Sequence, residues 1–129
     1  MSPARVVLDA SALLVLLNSE RGADVVAGTL PGAAMSAVNL SEVVAKLAER
    51  GVPEREIRTA LDGLGLEIYP FDRELAYLAG QLRARTRGRG LSLGDRACLA
   101  LGLQLDASAL TDDRSWSGLG IDVRIQVLR

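Results

Sequence analysis

The chain has 129 residues, of which 49% are hydrophobic and only 3% aromatic, and its 15 basic and 16 acidic residues leave a net charge of −1. This length fits one domain spanning 1–129 with an aliphatic core, and the charge balance confines any nucleic-acid surface to a local patch. The chain lacks histidine, which excludes Ser-His-Asp triads and imidazole ligands, and its single cysteine excludes an internal disulfide or a zinc cluster.

Arg5 to Leu8 is a short β-branched apolar run that reads as a buried strand ending on Asp9. Ala10 to Asn18 reads as a helix, and Ala23 to Leu30 as a second one stopped by Pro31-Gly32. The run Ala10 to Leu17 is too short to span a bilayer, and no cleavage site follows it, so the expectation is a cytoplasmic protein without membrane contact. Ala33 to Ala37 is a second strand. Val38 to Arg50 is an amphipathic helix with Leu40, Val43, Val44 and Leu47 at helical spacing, closed by Gly51. Pro53 opens a helix that runs to about Leu64. Leu66 to Pro70 alternates as a strand, and Asp72 caps a helix reaching about Arg87.

Ser92 caps the next helix, whose run Ala97, Cys98, Leu99, Ala100, Leu101, Leu103 and Leu105 is apolar enough to be buried, with Cys98 as a small core residue. Ser108 to Thr111 is a strand delivering Asp112 and Asp113. An irregular segment follows over 114–119, and Val123 to Val127 is a last, edge strand. Strands separated by helices imply an α/β fold with a mainly parallel sheet covered on both faces.

Asp9 and Asp113 follow strands, and ligands bind at the carboxyl ends of parallel strands, so both belong to one rim. Glu42 and Asp95 lie at helix starts, a placement compatible with the same rim. Each acid also reads as a helix cap, since Ser92-Leu-Gly-Asp95 and Asn39-Leu-Ser-Glu42 both have capping-box spacing. The capping reading weakens because Asp9 and Asp95 are embedded in strongly apolar neighbourhoods. Two carboxylates ~4 Å apart repel by ~4 kcal/mol at an effective dielectric of ~20, so a cluster stays ionised only beside a cation. All-oxygen ligands suit Mg²⁺ or Mn²⁺.

The segments V-V-L-D-A-S-A-L at 6–13, S-A-V-N-L-S-E-V at 36–43, G-L-S-L-G-D-R-A-C-L-A-L at 90–101 and L-T-D-D-R-S-W at 110–116 together resemble a PIN-domain ribonuclease, the toxin of a VapBC-type toxin–antitoxin pair. The resemblance implies a PIN-like three-layer α/β/α fold and metal-dependent hydrolysis of RNA. It also implies a catalytic quartet of Asp9, Glu42, Asp95 and Asp113, with Asp9, Asp95 and Asp113 on the metal. Thr111 falls on a supporting hydroxyl position. Asp112 departs from the family pattern, which has a small neutral residue there, and leaves open which of the two adjacent acids is the fourth. A cognate antitoxin and a homodimer are the partners implied, with helices 38–50 and 53–64 offering an apolar groove.

Arg83, Arg85, Arg87 and Arg89 fall within seven residues without an acid and lead toward Asp95. They read as RNA-backbone contacts or as a solvated helix end favoured by the dipole. Arg96 and Arg114 each adjoin a motif acid, and Trp116 reads as a packed residue rather than a base-stacking one. The rival from another class is a catalytically silent PIN-like protein-binding scaffold. A receiver-type domain is disfavoured by the lack of a late-strand lysine, and a D-x-D phosphatase by Ser11 in the second acidic position.

Overall fold

The computed structural model describes residues 5–128. Strands β1 (Val6–Leu8), β2 (Ala34–Ser36), β3 (Glu67–Tyr69), β4 (Ser108–Thr111) and β5 (Ile125–Val127) form one sheet in the order β3-β2-β1-β4-β5. Every pairing is parallel. The helices are α1 (Ala10–Leu17), α2 (Ala23–Thr29), α3 (Ala37–Glu49), α4 (Glu54–Asp62), α5 (Arg73–Arg85) and α6 (Leu93–Leu105).

The period-2 alternation of the strands divides the core in two. Val7, Ala34 and Ala109 face one cluster with Leu82 of α5 and Leu99 of α6, joined by Trp116. Leu8, Met35 and Leu110 face the other, with Leu13 of α1, Val26 of α2, Val43 of α3 and Ile57 of α4. The result is the expected three-layer arrangement, and the sheet is wholly rather than mainly parallel. Helix α6 is buried along Ala97 to Gly102 and packs against α3, α5, β1, β2 and β4. This explains why its sequence is apolar almost all round. Trp116 lies fully inside the core and is closed off from any base.

Several boundaries differ from the sequence reading. Ala37 opens α3 instead of closing β2, because the Ser36 side chain accepts from the Val38 N–H at 3.2 Å. The capping box expected at Asn39 and Glu42 is therefore not formed, and Glu42 lies in the second turn of the helix. Helix α5 stops at Arg85, short of Arg87. The terminal strand begins at Ile125 and occupies a sheet edge as expected.

Candidate active site

The parallel register sets Asp9 beside Thr111. Val7 and Leu8 pair with Ala109 and Leu110, and the Asp9 N–H extends the ladder to the Leu110 carbonyl at 2.9 Å. Asp9 occupies the N-cap position of α1, yet its carboxylate makes no capping hydrogen bond. Instead Asp9 Oδ2 accepts from Ser11 Oγ at 2.7 Å and from Thr111 Oγ1 at 3.0 Å. The same two hydroxyls accept from the backbone beyond β4. The Asp112 N–H donates to Ser11 Oγ and the Asp113 N–H to Thr111 Oγ1, both at 3.0 Å. Two hydroxyls thus fix one carboxylate and the chain leading to the next.

A second assembly joins α3 to α6. The buried Asn39 amide donates to Glu42 Oε1 at 2.9 Å and to the Gly94 carbonyl at 3.0 Å. Glu42 lies so close over Gly94 that a Cβ there would fall 2.4 Å from Oε2. Asp95 follows at once. Its Oδ2 accepts from the Ser92 N–H at 2.9 Å and Ser92 Oγ accepts from the Asp95 N–H at 3.1 Å, so the capping box anticipated here is formed.

Asp9 is only 5% exposed. Burial, helped by the charges of Asp95 and Glu42, pushes its carboxyl up to about 6 against the opposing hydrogen bonds from Ser11 and Thr111. Burial, followed by the charges of Asp9, Asp95 and Glu42, likewise raises the Cys98 thiol well above its ordinary value, so Cys98 is an inert core residue. The charges of Asp95 and Glu42 thus reach Asp9, so the three acids lie in one neighbourhood of the rim. Among the described residues no ion pair neutralises any of the three. No three acids there close on a common metal position as their side chains stand. Mutual repulsion without a counter-charge favours that spread.

Asp113 sits at the same end of the sheet, two residues past β4, exposed to solvent. Its Oδ1 accepts from the Ser115 N–H at 2.9 Å and caps the 3₁₀ turn 114–116. Asp112 is half-buried.

The arginine tract divides. Arg83 and Arg87 line a groove of about 650 Å³ together with Arg96. Arg85 does not line it. Arg89 points back to the chain, its guanidinium donating to the carbonyls of Ser115 at 2.7 Å, Ser117 at 2.8 Å and Gly118 at 3.1 Å.

The PIN-domain family profile matches residues 6–121, a span that takes in all four acidic segments. The chain belongs to the PIN-domain family. Solved structures share the fold of this PIN domain across nearly its whole length. A chain of a toxin–antitoxin complex from Klebsiella pneumoniae is 20% identical with a TM-score of 0.78, over 96% of this chain and 98% of that one. A chain of DNA-bound VapBC from Salmonella typhimurium is 17% identical with a TM-score of 0.75, over 98% and 100%. A chain of VapBC-5 from Mycobacterium tuberculosis is 20% identical with a TM-score of 0.61, over 98% and 99%. No curated protein matches the chain.

Three residues of the PIN-domain site went unassigned in the sequence reading: Ser11, Asn39 and Gly94. Ser11 lies two residues past Asp9, the spacing at which a hydroxyl returns to the preceding carboxylate. Asn39 lies three before Glu42, one helical turn away, and is a polar residue on a face that packs inward. Nothing in the sequence distinguishes Gly94 from a flexible loop glycine, because the close approach comes from a helix some fifty residues earlier.

Proposed function

We propose that this PIN domain is a VapC-type toxin, an endoribonuclease that hydrolyses RNA phosphodiesters with water activated by Mg²⁺ or Mn²⁺. The observation that supports the reading is the reach of the Asp95 and Glu42 charges to the buried Asp9 carboxyl, with no ion pair to any of the three among the described residues. The mutual charge at Asp9 and the all-oxygen donor set fit a hard divalent cation. Asp9, Asp95 and Asp113 would hold it, with Glu42 completing the acidic quartet. Bound there, it supplies a water of lowered pKa and screens the charge of the phosphate.

The chain's own groups prepare the site. Ser11 and Thr111 hold Asp9 in place. Asn39 anchors Glu42 through Oε1. Thr111 also fixes the Asp113 backbone. Asp113 rather than Asp112 is proposed as the fourth acid, because it follows the T-x-D-R-x-W register of the family. Structures of similar fold come from toxin–antitoxin complexes, which supports a cognate antitoxin as partner; a homodimeric assembly and a cytoplasmic setting are proposed with it from the family resemblance alone. No helix among the described residues is long and apolar enough to cross a membrane.

Purified protein is expected to cleave RNA with Mg²⁺ or Mn²⁺, to stop in EDTA, and to lose activity as Asp9→Asn. Cleavage that persists in EDTA or in Asp9→Asn overturns the mechanism. No cleavage under any metal leaves the silent scaffold as the better account.

A further inference from the structure

The groove lined by Arg83, Arg87 and Arg96 runs between the C-terminal half of α5 and the first turn of α6. We propose that it is a phosphate site which seats the backbone of a single RNA strand beside the acidic rim. The proposal rests on the nuclease reading for the identity of the ligand, and on the groove itself for its chemistry.

Among the described residues no acid lines the groove. Arg83 in the last turn of α5 and Arg87 in the turn beyond it both line the groove, and both are exposed. Neither joins an ion pair among the described residues. Arg96 is drawn into the wall, where its Nη1 donates to the Ala79 carbonyl at 3.1 Å. Its Nε is buried and has no hydrogen-bond partner. The Nε faces protein rather than the groove, so it is the rest of the guanidinium that offers charged donors to a phosphate oxygen. Three guanidinium groups around one hollow repel each other until an anion enters, and their forked donors match phosphate.

The floor is open backbone. Gly88 and Gly90 adopt φ of +82° and +68°, and nothing lies within 4 Å of where a side chain would start on either. A chain can therefore lie close along the turn. Arg96 directly follows Asp95 in α6, so one wall of the groove belongs to the helix that also carries a rim acid. Arg85 lies outside the groove and Arg89 is fastened to three carbonyls, so only part of the tract takes part. The substrate implied is single-stranded RNA extending several nucleotides beyond the cut, with affinity set by backbone charge rather than base identity.

The test uses the full chain in EDTA and a 2′-O-methyl oligonucleotide that cannot be cleaved, with anisotropy read across a salt series. Arg83→Gln/Arg87→Gln changes two exposed side chains and is expected to weaken binding about tenfold. It should also flatten the slope of log Kd against log salt by about 1.4, from ~0.7 per lost phosphate contact on a single strand. Arg96→Gln should weaken binding similarly, and Arg85→Gln should leave it unchanged. Equal loss in Arg85→Gln, or none in the double variant, overturns the groove. Competition by poly-glutamate at equal charge overturns the assignment to RNA. Because binding is read without metal, a groove that holds the oligonucleotide in a protein that cleaves nothing upholds this proposal while the nuclease reading fails.

Discussion

The carboxylate of Glu42 rests against the backbone of Gly94, where a single added methyl carbon would lie 2.4 Å from Oε2 and 2.5 Å from Oε1. Only glycine permits that approach, and Asn39 holds the two helices at it by donating to both residues. Gly94→Ala should therefore swing Glu42 away while leaving the helix intact. Helix propensity gains about 1 kcal/mol from the change, offsetting much of the ~1–3 kcal/mol of crowding. The expected result is a Tm within a few degrees of the parent and a loss of RNA cleavage of tenfold or more. A collapse of Tm, or full activity, contradicts this.

Asp9 makes the metal-free protein sensitive to pH. Its carboxyl titrates near 6 when folded, against an ordinary value of 3.8. The folded state thus holds this proton more tightly than the unfolded chain, and the contribution is present below the unfolded value and lost as pH rises past 6. A shift of about two units corresponds to about 3 kcal/mol. In EDTA the protein should be more stable at pH 5 than at pH 7.5 by a sizeable part of that amount. Asp9→Asn should flatten the dependence, and Mg²⁺ or Mn²⁺ should restore stability to the parent at pH 7.5. Urea denaturation at the two pH values is the measurement.

Asp95 serves both the rim and the start of α6. Asp95→Asn retains an oxygen for the Ser92 N–H, so it should abolish cleavage with little change in Tm. Asp95→Ala removes the acceptor and should cost a further ~1 kcal/mol, the usual cost of losing a helix-capping interaction. Thermal melts of both variants beside a cleavage assay separate the two duties. Equal melting of the two variants would show that the capping box contributes nothing.

Arg89→Ala frees the turn that follows Asp113 from three carbonyl contacts. All are at the surface, so the stability loss should stay near ~1 kcal/mol. Cleavage should slow through kcat with KM unchanged, because the turn rather than the RNA is released. A raised KM and a weaker salt dependence would make Arg89 a phosphate contact instead.

The order of elements was legible because the apolar runs are long and the breakers sharp, as at Pro31-Gly32 and Gly51. The boundary at Ala37 was not, since Ala37 continues the Ala-rich run of the strand and the decision lies with the Ser36 hydroxyl. Asp9 and Asp95 stood out by their apolar surroundings. The division of the arginine tract did not. Arg83, Arg85, Arg87 and Arg89 look alike in sequence, and what separates them is the end of α5 at Arg85 and the turn that returns Arg89 toward Ser115.

The register of β1 against β4 also sets a timetable. The hydrogen bond from Thr111 to Asp9 spans 102 positions, whereas the β2 neighbour of β1 is already made by Ser36. During synthesis the central strand waits for most of the chain before its second flank arrives. A ribosome that halts before residue 108 leaves Asp9 without the Thr111 hydroxyl that fixes its carboxylate, so the site is completed only by the last fifth of the chain.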